Sequence, residues 1–288
     1  MTTVLMTSDF DHAAESLRTQ DWNRYMSVLF ADKAHRPGLF ALYAFNAEIA
    51  RVRQMISDPL PGEVRLQWWR DLLNGVEHGE VAGNPNAAAL QRTIATYRLP
   101  VGAFQDLIDA RVFDLYDDPM PSLHDLEGYA GETTSAIFQI AGMILNGGKD
   151  PGTATVAGHA GVAYALTGLM RSLPYHASRR QVFLPSDLLA RHGVRIETVF
   201  QGQTTPELKA ALYEMRDHVR HHLKRVRENL DAITPRIAAA YLPLALVEPY
   251  LKKLEVPDHD PLKELAEVSK LRRQWLLWRA SRKPVSRI

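Results

Sequence analysis

The pattern of apolar and polar positions is helical almost throughout. Leu42, Phe45, Ile49, Val52 and Ile56 recur at spacings of three and four and predict one amphipathic helix. Pro37 suits its first turn, where the missing N–H is not needed. Ser57-Asp58-Pro59-Leu60-Pro61-Gly62 breaks the pattern, and a second helix is predicted over Glu63–Val76 with Trp69, Leu72, Leu73 and Val76 facing inward. Asn46, Glu48, Arg51, Arg53, Arg65, Gln67 and Arg70 lie beside these stripes. Two readings fit that polar density: helices lining a cavity, and ordinary solvated helix faces.

The same reasoning predicts the remaining elements. Asp9–Thr19 is a short helix capped by Asp9 or Asp11, and Asp21–Phe30 is another, capped by Asp21 and burying Trp22, Tyr25, Val28 and Leu29. A loop over Gly79–Asn86 precedes helices at Ala87–Tyr97 and Val101–Tyr116. Asp117-Asp118-Pro119 reads as a turn rather than a metal site. Ser122, with Asp125 and Glu127, has a capping-box pattern and opens a helix to Leu145 that Asn146-Gly147-Gly148 ends.

Thr153–Leu173 is a helix rich in Ala154, Ala157, Gly158, Ala160, Gly161, Ala163, Ala165 and Gly168. Such residues permit either close helix packing or room for a ligand. Pro174 breaks it. Arg179–Val194 is a connector with a short helix that starts at Leu184-Pro185-Ser186-Asp187 and that Gly193 ends. Helices follow over Pro206–Leu230, Thr234–Leu254 (perturbed at Pro243 and Pro249) and Pro261–Arg282. Strand signals are scarce, and no repeat or linker interrupts the chain. It reads as one all-α domain over residues 1–288, with 1–20 an N-terminal extension and 280–288 a basic tail. Trp275 to Trp278 are expected to pack on the bundle; the competing reading rests them, among arginines, on anionic lipid.

Composition narrows the chemistry. The chain has 288 residues and no cysteine, which excludes disulfides, thiolate metal sites and cysteine nucleophiles. Lys plus Arg is 34 and Asp plus Glu is 33, so net charge points to no nucleic-acid partner. No apolar run approaches the roughly 20 residues that span a bilayer. Met1–Asp11 lacks a positive region followed by an apolar core. A cytoplasmic protein is expected, with any membrane contact at the surface.

Catalytic motifs are weak: there is no G-x-S-x-G, phosphate-cradling glycine loop or H-E-x-x-H. His218, His221 and His222 sit among Arg216, Arg220, Lys224 and Arg225, which reads as a solvated basic face rather than a metal site. The segment from Arg171 to Arg180 is more informative. Three arginines, Ser172, Tyr175 and His176 gather at a helix break, where guanidinium forks suit an anionic group. The alternative pairs these arginines with acids such as Glu48, Glu63 or Asp71.

Ala41-Leu42-Tyr43-Ala44-Phe45, the Gln67-Trp68-Trp69 run, Arg171, and Arg179-Arg180-Gln181-Val182-Phe183-Leu184-Pro185 together resemble the squalene/phytoene synthase family. The resemblance implies the isoprenoid synthase fold, a helical bundle around a central cavity. Active members join isoprenyl diphosphates and hold Mg²⁺ on two pairs of aspartates, each pair on one helix face. Here those positions fall on Ala50, Gln54, Ser172 and His176. Phe45 to Val52 and Pro174 to Pro185 resemble more closely the aspartate-poor, complex I assembly factor 6-like subgroup.

That resemblance implies a non-catalytic binding or assembly protein of respiratory complex I, peripheral to the inner membrane, with no cofactor. Its cavity would hold an isoprenoid diphosphate or lipid. The candidate ligand-binding residues are Tyr43, Asn46, Arg53, Gln67, Arg171, Tyr175, His176, Arg179 and Arg180, and no metal ligand is expected. The alternative is an active prenyltransferase that uses Mg²⁺ on displaced acids, such as Glu48, Glu63 or Asp71.

Overall fold

A computed structural model describes residues 8–76 and 83–282. Part of the predicted 79–86 loop, and most of the basic tail with Lys283 and Arg287, lie outside the described residues. Among those described, the chain is all-α, with sixteen α-helices and no strand.

The chain opens with α1 (Asp9–Gln20) and α2 (Trp22–Val28). Ser8 caps α1, not Asp9 or Asp11; Asp11 instead completes the capping box by accepting from the Ser8 N–H. Asp21 caps α2 as expected. The buried face of α2 is Asn23, Arg24, Ser27 and Val28, so Trp22, Tyr25 and Leu29 are only half-buried. An arginine on the inner face was hidden from apolar periodicity.

In α3 (Arg36–Ala50) the predicted stripe packs inward, but the α-helix stops at Ala50. Val52–Met55 is a tight 3₁₀ turn, so the predicted helix does not reach Ile56. The supposed breaker is partly helical. Pro59 and Pro61 open α4 (Pro59–Leu73), because proline is tolerated in a first turn. Trp69 and Leu72 are buried, whereas Val76 is 49% exposed and lies beyond the helix end. Phe45 meets Trp69 edge-on at 5.0 Å and Phe104 at 5.6 Å, which fixes α3 against α4 and α6 (Val101–Val112). Each such buried aromatic contributes on the order of 2–3 kcal/mol. Before α6, α5 (Pro85–Tyr97) starts two residues earlier than predicted because Asn84 caps it.

The predicted Ser122–Leu145 helix is α7 (Leu123–Ala130), a π-helical segment over Gly131–Ser135, and α8 (Ala136–Leu145). Ser122 caps α7 through the Asp125 N–H, but Glu127 plays no part in the cap. Gly148 closes the end of α8: a Cβ there would lie 2.3 Å from the Tyr97 carbonyl oxygen. The small-residue helix is α9 (Ala154–Arg171), and it breaks at Ser172 before α10 (Leu173–Ser178), with Pro174 in the first turn of α10. Its small residues stand in different surroundings. A Cβ on Gly161 would fall 2.1 Å from Ser135 Oγ, so close packing on the π segment requires glycine; at Gly158 and Gly168 a Cβ meets nothing within 4 Å.

The connector carries α11 (Ser186–Arg191), and an unforeseen α12 (Ile196–Phe200) follows it. Then come α13 (Pro206–Glu228), capped by Thr205, α14 (Ala238–Tyr241) and α15 (Val247–Leu254). A 3₁₀ stretch over Leu242–Leu246 separates the last two at Pro243, as expected, whereas Pro249 is accommodated within α15. The closing helix α16 (Lys270–Arg282) starts nine residues after Pro261. On it Leu277 is buried, but Trp275 and Trp278 are 51% and 50% exposed, which corrects the expectation that both pack on the bundle. One contiguous apolar cluster runs from Leu17 to Ala266. No helix among the described residues is long and apolar enough to cross a membrane.

Candidate functional site

A cavity of about 340 Å³ opens between α2, α3, α6, α7 and α9. That volume lies near the lower end of ligand pockets, about 300–1,000 Å³. Asn46, Ala47, Ala50 and Arg51 form one wall at the end of α3; Ala165, Gly168, Leu169 and Ser172 face them from α9. Gln20, Asp21, Arg24, Arg111, Tyr129, Thr133, Thr134 and Tyr164 complete the lining. The π-helical segment contributes the two threonines; such bulges recur at functional sites because they redirect side chains.

Three arginines dominate its charge. Arg24 is buried between the rings of Tyr43 and Tyr164, 5.4 and 5.2 Å from their centroids, and pairs with Asp21 at 3.5 Å. Arg111 donates to Asp114 at 2.9 Å and to the Tyr129 hydroxyl at 2.5 Å, while that hydroxyl donates to the other Asp114 oxygen at 2.7 Å. Burial opposes the Arg111 charge, but Tyr129 and Asp114 outweigh it and hold its pKa above the ordinary arginine value. Arg51 is exposed at the rim and forms no ion pair with a described residue. Asp21 is the only carboxylate among the lining residues. The lining is therefore cationic on balance, with Arg24 and Arg111 held by aromatic and carboxylate partners and Arg51 at the rim.

The structure brings few of the candidate residues together. Asn46 lines the cavity, and Tyr43 is buried behind it under Arg24. Ala50 and Ser172 also face each other across it. Gln54 is exposed on the 3₁₀ turn, because α3 ends before reaching it. His176 sits edge-on to Phe183 at 4.9 Å, and burial lowers its pKa. None of the four candidate arginines, Arg53, Arg171, Arg179 and Arg180, lines the cavity. Arg53 pairs with Asp117 at 3.0 Å, and Arg171 lies over Tyr250. Arg179 lies over Tyr175 at 4.6 Å and Arg180 over Phe200 at 5.0 Å, both side chains exposed. Aromatic rings, rather than Glu48, Glu63 or Asp71, are their partners.

Gln67 lines a separate groove of about 570 Å³ on α4, together with Glu63, Asp71 and Trp68. It donates to Asp71 at 2.7 Å. Glu63 accepts from the Tyr116 hydroxyl. Glu48 accepts from Asn86 at 3.2 Å and pairs with Arg65 at 3.5 Å. None of these three acids lines the cavity. Mg²⁺ demands about six oxygen ligands in octahedral array. Ala50 offers none, Gln54 points to solvent, and His176 offers a buried nitrogen. The residues at the four family positions do not fit the ion.

Arg24, Arg111, Tyr129 and the threonines escaped sequence reading, although their signal was present. Arg24 and Arg111 are charges on otherwise inward helix faces, and Tyr129 and Thr133 share one face at a spacing of four.

The sequence signature of the squalene/phytoene synthases matches residues 17–279. The chain is 30% identical over 249 residues to NADH dehydrogenase (ubiquinone) complex I, assembly factor 6 of Bos taurus, covering 86% of this chain and 74% of that protein. It is 26% identical over 280 residues to the phytoene synthase of Thermus thermophilus, covering 96% and 93% of the two chains. Among solved structures, a dehydrosqualene synthase with bound ligand superposes with a TM-score of 0.81 over 96% of this chain and 97% of its own, at 17% identity. The bundle is thus the isoprenoid synthase fold, and the chain belongs to the squalene/phytoene synthase family.

Proposed function

We propose that this protein is a non-catalytic member of the family that acts as an assembly factor for respiratory complex I. One observation carries the reading: the positions where metal-dependent relatives carry aspartates are Ala50, Gln54, Ser172 and His176, and the cavity lined by Ala50 and Ser172 holds three arginines against one carboxylate, Asp21. In metal-dependent relatives bound ions neutralise the departing diphosphate, and the lining of this cavity holds a single carboxylate, Asp21, for such ions. The identity to complex I assembly factor 6 supports the same reading. The acids named for the active-prenyltransferase alternative, Glu48, Glu63 and Asp71, do not line the cavity.

The cavity in this reading holds one phosphate or diphosphate head group of an isoprenoid or lipid, with its chain along Ala47 and Leu169. Complex I subunits are the protein partners, at the periphery of the inner membrane. Exposed Trp275 and Trp278, flanked by Arg272 and Arg279, support contact with anionic lipid.

Purified protein incubated with farnesyl or geranylgeranyl diphosphate and Mg²⁺ is expected to release no diphosphate above a buffer control. Release above that control overturns the non-catalytic reading. Deleting the gene in the native host is expected to lower assembled complex I, read as NADH:quinone activity of its membranes. An unchanged level overturns the assembly role.

A further inference from the structure

Helix α13 carries His218 and His222 at a spacing of four, and their Nε2 atoms lie 3.2 Å apart. Both point at one carboxylate oxygen of Glu127 on α7, at 2.5 Å from His218 and 2.9 Å from His222. The three ligand atoms lie within 4.8 Å of one another. This corrects the solvated-face reading: His222 is 7% exposed and His218 is half-buried, and only His221 of the three is exposed. None of these residues lines the arginine cavity.

We propose that Glu127, His218 and His222 form a binding site for a divalent transition metal of the Zn²⁺ class. Two histidines and one carboxylate are a zinc ligand set, and three protein ligands leave a fourth position for water. His218 and Glu127 are 24% and 31% exposed at the side chain, so solvent reaches that position. Bonds of about 2.0–2.1 Å in a tetrahedron place ligand atoms about 3.3 Å apart, so the three atoms need only spread by less than about 1 Å. Mg²⁺ and Ca²⁺ prefer an all-oxygen shell and are excluded by the imidazoles.

The surroundings prepare the ligands. His222 Nδ1 lies 3.0 Å from Nδ1 of His159 on α9, so one of the two nitrogens carries the proton. With the proton on His222 Nδ1, its Nε2 lone pair is free for the metal and His159 accepts the bond. This is the outer-shell partner that orients a metal-bound imidazole. Burial also favours the neutral form of His222 and His159, and neutral imidazole is the form that binds a metal. Bound metal would clip α7 to α13 across 91 residues of sequence, with α9 as its backing.

The test uses the full chain, stripped with a chelator and dialysed, then titrated with Zn²⁺ alone. One Zn²⁺ per chain is expected to persist through gel filtration and to raise the melting temperature. Co²⁺ in its place is expected to give the strong visible absorption of a four-coordinate ion. His159→Phe is expected to weaken binding by about 10–100-fold, and loss of a direct ligand in Glu127→Gln or His218→Gln by at least about that much. His218 is half-buried, so His218→Gln keeps the test open if Glu127→Gln fails to fold. His221→Gln is expected to change nothing. Three results overturn the proposal: no stoichiometric metal on the wild type, an octahedral Co²⁺ spectrum, or an equal loss in His221→Gln and His218→Gln.

Discussion

The guanidinium of Arg171 lies over the ring of Tyr250, 3.5 Å from its centroid, and its Nε donates to the Ala266 carbonyl at 3.2 Å. One side chain at the end of α9 thereby fastens α15 and the helix-free stretch 255–269 to the bundle. Arg171→Ala is expected to cost about 1–3 kcal/mol, from a cation–π contact of about 0.5–2 kcal/mol and a hydrogen bond of about 1 kcal/mol. Urea unfolding measures it. Proteolysis within 255–269 should accelerate in the variant, while binding of an anion in the cavity stays unchanged.

The two kinds of glycine on α9 separate in the same way. Gly161→Ala drives a methyl into the Ser135 backbone, with its Cα and N both at 2.4 Å, and is expected to destabilise by at least about 1–3 kcal/mol. Gly168→Ala faces open space and is expected to stabilise by up to about 1 kcal/mol through helix propensity. Thermal unfolding of both variants checks the contrast. Equal effects would mean that Gly161 is not closely packed on Ser135.

Arg51 is the exposed cation at the cavity rim. Arg51→Glu is expected to leave stability within about 0.5 kcal/mol of wild type, as for surface substitutions without special contacts. It is also expected to weaken binding of farnesyl diphosphate, measured by calorimetry without Mg²⁺, by tenfold or more. Unaltered binding would remove Arg51 from the anion site.

Asp260 gives a defined pH dependence. Burial works to raise its pKa, but bonds from Thr204, Lys263 and the Leu262 N–H prevail and lower it from 3.8 to about 2. Because the folded value is depressed, the stabilisation is complete above about 3.8 and is lost as pH falls toward 2. Asp260→Asn is therefore expected to lower the denaturant midpoint at neutral pH. The gap to wild type should close between those two values. The side chain is 25% exposed, and solvent screening keeps the effect small.

Much of the bundle was legible in the sequence because helix periodicity and caps are local. The stripe from Leu42 to Ile49, the Asp21, Ser122 and glycine stops, and the break before Pro174 are all set by neighbours within a few residues. The end of α3 at Ala50 and the helical Pro59–Gly62 turn were not, since apolar spacing continues through the first and prolines disguise the second.

The sequence by itself determined the helical bundle, the family resemblance and the missing aspartates, because each is written in residue identity and short-range spacing. The tertiary structure alone decided which charges meet. It placed Arg24 and Arg111 in the cavity while Arg171, Arg179 and Arg180 turned to aromatic rings. It also drew Glu127 from a helix start to two histidines 91 and 95 residues away. Such contacts depend on how helices pack and rotate against one another, and spacing along one helix carries no record of the face its partner presents.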